Sequence, residues 1–212
     1  MAAAVPEVFE QASEEALASI TRALDAGRPI VFPTDTVFGI AARPDLPDAT
    51  SALFDAKERP RELTLPVLVA DPEAVRMFAE MDQRAATLAE RFWPGPLTLI
   101  LPRLERSRDW DLGVERDTVA VRVPDHPAAL EVLRRNGPLA TTSANLSGEP
   151  NPLDCEGVRA SLGDSVAVYL CAEPSPDGTA STLVDLTGER PEILRDGPVS
   201  AEDVLRLLAG RR

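Results

Sequence analysis

The sequence predicts an α/β fold in which one sheet is flanked by helices. Short apolar runs that stop at proline or glycine alternate with segments of helical period along most of the chain. The 212 residues, 44% of them hydrophobic, suffice for one sizeable core. The 20 prolines are spread along the chain and cluster at strand ends, and no repeat or composition shift marks a second domain. A single domain over 1–212 is therefore expected, with its core at about 13–208.

The elements follow in order. Leu17, Ile20 and Leu24 recur at helical spacing between a capping Ser13 and a terminating Gly27, which predicts a helix over 13–26. Ile30, Val31 and Phe32 form a buried strand stopped by Pro33, and Pro33-Thr34-Asp35-Thr36 reads as the loop leaving it. Asp48 is placed to cap a second helix that carries Leu53 and Phe54 and reaches Lys57. Beyond Pro60 the alternation predicts a strand at 66–70, a helical region over 72–92 broken near Met81, and a strand at 97–101. The charged, apolar-poor stretch 103–117 reads as a mobile surface loop. Strands are expected at 118–123 and 139–142 around a helix near 128–136. A helix near 155–162, strands at 166–170, 181–186 and 192–194, and a helix over 201–208 complete the pattern.

Composition removes several classes of function. A formal net charge of -13 makes the surface as a whole repel polyanions, which disfavours tight unspecific nucleic-acid binding. Residues 1–20 carry Glu7, Glu10, Glu14 and Glu15 with no basic cluster before an apolar run, so the stretch reads neither as a secretory signal nor as an organelle presequence. No span is long and apolar enough to cross a bilayer, and a cytoplasmic protein without a membrane partner is expected. Cys155 and Cys171 are not spaced as metal ligands and His126 is the only histidine, which nearly excludes a zinc site and a histidine-based triad. Compartment favours two reduced thiols over a disulfide.

Of the 22 basic residues only Lys57 is a lysine. On a solvated surface arginine and lysine are nearly interchangeable, so a lone lysine points either to a need for a compact ammonium or to an accidental survivor.

Four clusters sit at the edges of predicted elements, where loops gather functional groups. The run from Pro33 to Gly39 sets hydroxyls and a carboxylate after a buried strand, suited to a polar ligand or to an ordinary capped turn. In Lys57-Glu58-Arg59-Pro60 the proline biases Arg59 out of helical geometry, so both cations can converge on one anion; a solvated helix end is the plainer reading. The run from Thr141 to Gly148 is a hydroxyl- and amide-rich turn after an apolar strand, either a phosphate cradle or a Ser/Asn cap for the next helix. Gly178 to Thr182 and Leu194 to Gly197 are weaker signals alone, and Trp93 before a strand is more simply read as core packing.

Taken in order, Pro33-Thr34-Asp35-Thr36-Val37, Lys57-x-Arg59-Pro60, Trp93-Pro94-Gly95-Pro96-Leu97-Thr98, Ala120-Val121-Arg122-Val123-Pro124, Ser143-Ala144-Asn145 with Ser147-Gly148, Ser181-Thr182 and Leu194-Arg195-x-Gly197 form a pattern. It resembles that of the YrdC/Sua5-like threonylcarbamoyl-AMP synthases, over about 27–199. The chain ends soon afterwards and looks like the short single-domain form.

The resemblance implies a YrdC-like fold, a twisted mixed sheet with a concave ligand-binding surface. It implies an L-threonylcarbamoyladenylate synthase, a nucleotidyltransferase that makes threonylcarbamoyl-AMP and pyrophosphate from L-threonine, bicarbonate and ATP. Mg2+ would be carried in with ATP and finished by water, with no dedicated protein metal site. The product would pass to a threonylcarbamoyl transferase complex and so reach tRNA indirectly. By similarity Lys57 and Arg59 hold the triphosphate as the catalytic cations, Ser143, Asn145 and Arg195 lie near the nucleotide, and Thr118 is close to it. Thr36, Arg122 and Ser181 hold threonine, Arg122 pairing with its carboxylate.

Phe38, Leu68, Thr142 and Asn151, together with Thr64-Leu65, depart from residues common in the family and bear on the shape of the pockets. Two other functions fit the same fold: a double-stranded RNA-binding module, and a carbamoyl-adenylate-forming domain with another acceptor. The acidic balance opposes the first, and the second usually sits in longer chains with zinc-binding cysteines.

Overall fold

The computed structural model describes residues 5–209. In chain order the elements are β1 (Glu7–Phe9), α1 (Glu14–Asp25), β2 (Ile30–Phe32), β3 (Gly39–Ala42), α2 (Pro47–Ala56), β4 (Val67–Leu68), α3 (Pro72–Val75), α4 (Gln83–Phe92), β5 (Leu97–Pro102), β6 (Thr118–Arg122), α5 (Pro127–Asn136), β7 (Leu139–Ser143), α6 (Cys155–Leu162), β8 (Val168–Leu170), β9 (Thr182–Asp185), β10 (Glu192–Arg195) and α7 (Ala201–Ala209). The strands form one sheet in the order β1-β8-β2-β3-β7-β4-β6-β5-β9-β10. It is mixed: β8 runs parallel to β1 and β2, β4 to β6, and β5 to β9, while the other neighbours are antiparallel.

Alternation along the strands divides the core between the two faces. Ile30 and Phe32 of β2, with Leu68, Leu139 and Val168, pack under α1 and α5. Val31, Val67, Leu99 and Val121 face the other way into a larger cluster with Leu53 of α2, Leu88 of α4, Val158 of α6 and Val204 of α7. Helices α1 and α5 cover their face only over the half of the sheet around β8, β2, β3 and β7. Over β6, β5 and β9 that face stays open, and it carries the polar residues Thr98 and Arg122. This half-covered face is the concavity expected of the fold.

Local signals explain the elements that coincide with expectation. The Ser13 hydroxyl accepts from Ala16 N at the start of α1, and Gly27 beyond its end adopts φ 70°. The break near Met81 is real, with Asp82 capping α4.

Several expectations need correction. Asp48 does not cap α2; Leu46 is its N-cap with no side-chain bond, Pro47 starts it, and Asp48 lies in the first turn. Helix α6 is capped by Asp154 rather than by the Ser/Asn turn. The stretch 103–117 is not a loose surface loop. Its Arg103, Ser107 and Leu112 are buried, Ser107 Oγ donates to Phe78 O at 2.7 Å, and Trp110 stacks 5.1 Å from Phe78. One terminal nitrogen of the Arg103 guanidinium donates to the carbonyls of Ser107 and Trp110, while its Nε and other terminal nitrogen are buried without a hydrogen-bond partner. Cys155 and Cys171 are joined in a disulfide, because the start of α6 and the end of β8 bring together residues 16 apart in sequence. Strands β1 and β3 were not expected: β1 is a three-residue edge strand, and the Gly-Ile-Ala-Ala of β3 has no alternation.

Candidate active site

A cavity of about 250 Å³ opens on the uncovered face of the sheet. Arg59, Arg122 and Arg195 line it together with Thr34, Thr36, Thr98, Ser143 and Ser181. Three guanidiniums thus converge on one hydroxyl-rich cavity in a chain of net charge -13.

Arg122 lies at the centre of this arrangement. Its position at the end of β6 sets it on the open face, where only 5% of the residue is exposed. Its Nε donates to Gly95 O at 2.9 Å, and its two terminal nitrogens donate to Thr36 Oγ1 at 2.7 Å and Asp35 Oδ1 at 2.5 Å. A guanidinium has five N–H groups, so two remain to meet a ligand. Burial pushes its pKa down while Asp35 opposes the shift, and at the high pKa of arginine the group stays charged. The loop after β2 is ordered around Thr34, whose hydroxyl donates to Val37 O at 2.7 Å and accepts from the amides of Thr36 and Val37.

On the opposite wall Ser181 Oγ lies 2.7 Å from Thr98 Oγ1. Arg195 donates from Nε to Ser181 O at 2.9 Å and from a terminal nitrogen to Ser181 Oγ at 3.2 Å. The third arginine, Arg59, is held by the carbonyls of Leu63 at 2.7 Å and Thr64 at 3.2 Å. Burial lowers the pKa of both Arg59 and Arg195.

Lys57 does not line the cavity. It is 1% exposed, with Nζ donating to Ser143 O at 2.6 Å, to Asn145 O, and to Asn145 Oδ1 at 3.3 Å. All three ammonium protons are thereby met by the turn that presents Ser143 to the cavity. Burial, with Arg59 as a lesser cause, pushes Lys57 down to about 8. Asn145 also lies behind the lining: its Oδ1 accepts from Ser143 Oγ at 2.5 Å and its amide donates to the carbonyls of Leu146 and Glu149. Thr118 stands on the same face of β6 as Arg122, four residues and therefore about 13 Å along the strand, outside the cavity itself.

Of the residues singled out from sequence, the fold therefore brings Thr36, Arg59, Arg122, Ser143, Ser181 and Arg195 to one cavity, sets Lys57 and Asn145 beneath it, and leaves Thr118 along its axis. Asp35 and Thr98 had no assigned role; each sits in a motif, but its contact with Arg122 or Ser181 is long-range. Among the lining residues that depart from the common pattern, Leu68, Thr142 and Asn151 reach the cavity directly, whereas Phe38 is buried in the core. Trp93 packs in the core as expected, its Nε1 donating to Leu97 O at 2.6 Å. His126 caps α5 through Nδ1 and bonds Pro174 O through Nε2 at 3.0 Å, so both ring nitrogens are occupied.

Comparison with known proteins adds independent information. Residues 22–197 match the sequence family described as Telomere recombination, which groups Sua5, YciO and YrdC proteins. A Mycobacterium tuberculosis (strain H37Rv) protein provisionally named threonylcarbamoyl-AMP synthase is 44% identical over 207 residues, covering 95% of each chain. The threonylcarbamoyl-AMP synthase of Bacillus subtilis is 37% identical over 177 residues, 82% of this chain; the match spans 51% of that relative. The crystal structure of P. abyssi Sua5 complexed with L-threonine superposes with a TM-score of 0.86 at 32% identity, covering 97% of this chain and 61% of that one.

Proposed function

The chain belongs to the Sua5/YciO/YrdC family, and from that premise we propose that it is a threonylcarbamoyl-AMP synthase, forming threonylcarbamoyl-AMP and pyrophosphate from L-threonine, bicarbonate and ATP. The observation that carries this reading is the convergence of Arg59, Arg122 and Arg195 on one cavity lined with hydroxyls. Such a site suits two anionic ligands held side by side.

The reaction makes modest demands on the protein. Once the neutral amine of threonine has added to the carbon of carbon dioxide, formed as bicarbonate loses hydroxide, and its proton has joined that hydroxide as water, the carbamate oxygen is already an anionic nucleophile. It bonds to the α-phosphorus of ATP as the bond to the β-phosphate oxygen breaks, and the electron pair leaves with pyrophosphate. The protein aligns the two anions and offsets charge on the departing phosphates, a task for fixed cations rather than for a histidine or cysteine base.

Arg122 receives the threonine carboxylate on its two free N–H groups, with Thr36 fixing its plane. Arg59 and Arg195 face the phosphates, and Ser143 is the hydroxyl at the nucleotide end. Lys57 acts through the turn from Ser143 to Asn145, which it holds from beneath. Thr118, farther along β6, lies where an extended nucleotide would continue. ATP would enter as its Mg2+ complex, the metal offsetting phosphate charge with no dedicated protein ligands. The adenylate is handed to a threonylcarbamoyl transferase complex acting on tRNA, and the setting is the cytoplasm; among the described residues no helix is long and apolar enough to cross a membrane.

The test is pyrophosphate release with ATP and bicarbonate, with and without threonine. Threonine-dependent release is expected, and release that ignores threonine would overturn the reading.

A further inference from the structure

We propose that Thr98 is a specificity-determining residue, which together with Ser181 reads the side-chain hydroxyl of the amino-acid substrate. The inference rests on the reading above that a β-hydroxy amino acid occupies this cavity.

It follows from a count of protons. Thr98 Oγ1 and Ser181 Oγ are 2.7 Å apart, both residues line the cavity, and they are 4% and 5% exposed. Either oxygen can donate to the other, so one of the two hydroxyl protons is consumed between them. Arg195 adds a donor to Ser181 Oγ, not an acceptor. Among the described residues no further acceptor lies within reach of either hydroxyl, so one O–H remains for the cavity. Because the pair can reverse direction, that proton is offered from either oxygen.

Placement directs the pair at an amino acid rather than at the nucleotide. Leu99 of β5 pairs with Val121 of β6, and both face the core beneath, so Thr98 and Arg122 share the opposite, open face of neighbouring strands. Neighbouring strands lie about 4.8 Å apart. An amino acid whose carboxylate is seated on Arg122 therefore presents its β-substituent within reach of Thr98 and Ser181. A ligand hydroxyl accepts the remaining proton, whereas the methyl of valine leaves it buried and unpaired. A buried unpaired donor costs about 1–3 kcal/mol, which corresponds to roughly 5- to 150-fold in relative use.

The experiment measures kcat/KM for threonine and valine, by pyrophosphate release, in the unmutated protein, Ser181→Ala, the double variant Thr98→Val/Ser181→Ala and Thr98→Ser, with thermal melting of each. Because either hydroxyl can supply the remaining proton, Ser181→Ala leaves it to Thr98, whereas the double variant has none, and its threonine-to-valine ratio is expected to fall by about 10- to 100-fold, well below that of Ser181→Ala. Thr98→Ser keeps the hydroxyl and is expected to keep the ratio within about threefold of the unmutated value. A folded double variant with the same ratio as Ser181→Ala, with threonine still used by the unmutated protein, would overturn this inference alone. Should the double variant fail to fold, a tenfold loss of the ratio in Thr98→Ser would overturn it equally. No threonine-dependent release from the unmutated protein would remove the functional reading and this inference with it.

Discussion

Asp35 and Arg122 form an ion pair at 2.5 Å, with their side chains only 16% and 6% exposed, and the same Asp35 oxygen accepts Asp125 N at 2.9 Å. One carboxylate thus joins the loop after β2 to the segment after β6 and fixes the guanidinium between them. Removing one partner of such a pair leaves a buried charge uncompensated, at about 3–5 kcal/mol.

Asp35→Ala is therefore expected to lower stability by about 3 kcal/mol and to raise the KM for threonine at least tenfold, because Arg122 loses its fixed plane. Asp35→Asn keeps an oxygen acceptor and should retain threonine binding better than the alanine variant. Urea unfolding and threonine titration of both variants check this; equal threonine KM in Asp35→Ala and the unmutated protein would refute the positioning role.

Lys57 leads to a pH dependence with a defined sign. Its folded value of about 8 lies below the value of about 10.4 expected in an unfolded chain. Between these values the unfolded chain holds more protons, so this group makes stability rise with pH over that interval. The ammonium that grips the carbonyls of Ser143 and Asn145 is nevertheless lost as pH passes about 8. Nucleotide affinity, measured by calorimetry without threonine, should fall between pH 7.5 and 9.5 while the melting temperature does not. In Lys57→Arg the planar guanidinium cannot fill the same three-acceptor site, and turnover should drop far more than in the exposed Arg106→Lys.

Gly197 allows the chain after β10 to lie against the chain before β9. A Cβ there would come within 2.7 Å of Ala180 O and Ser181 C, and closer still to Thr182 N, all backbone atoms that cannot turn aside. Gly197→Ala is expected to cost about 1–3 kcal/mol and to raise the KM for both ATP and threonine, since Arg195 and Ser181 are pushed apart. A variant as stable and as active as the parent would show that this approach is not needed.

What could be read from the sequence followed the range of the forces involved. Strand β2 and helix α6 fall at the expected residues because Pro33 and the run from Cys155 to Leu162 act locally. The strands β1 and β3 escaped notice because β8 and β7 define them through pairing rather than through their own pattern. At the site, the motifs identified the arginines and hydroxyls that line the cavity. The depth of Lys57 was not legible, because it depends on Ser143 and Asn145, 86 and 88 residues away. Likewise the stretch 103–117 looked solvated until Arg103 and Trp110 were placed against Phe78 and the carbonyls of their own segment.

The last prediction separates the general from the selective part of amino-acid recognition. Arg122 meets the carboxylate common to every amino acid, so Arg122→Ala should weaken threonine, serine and valine alike, by at least 100-fold in kcat/KM, since it removes a charged hydrogen-bonding partner worth about 3 kcal/mol or more. Ser181 contributes a hydroxyl beside Thr98 and an acceptor for Arg195. Ser181→Ala leaves Arg195 its bond to the Ser181 carbonyl, because that oxygen belongs to the backbone. The ATP KM should therefore rise only a few-fold, and the preference for threonine over valine should fall by about two- to threefold, since Thr98 still offers a proton to the ligand hydroxyl. Pyrophosphate release with the three amino acids, measured in both variants, checks the split. If Arg122→Ala affected threonine but spared valine, the arginine would be reading the side chain instead of the carboxylate, and the amino acid would lie the other way round in the cavity.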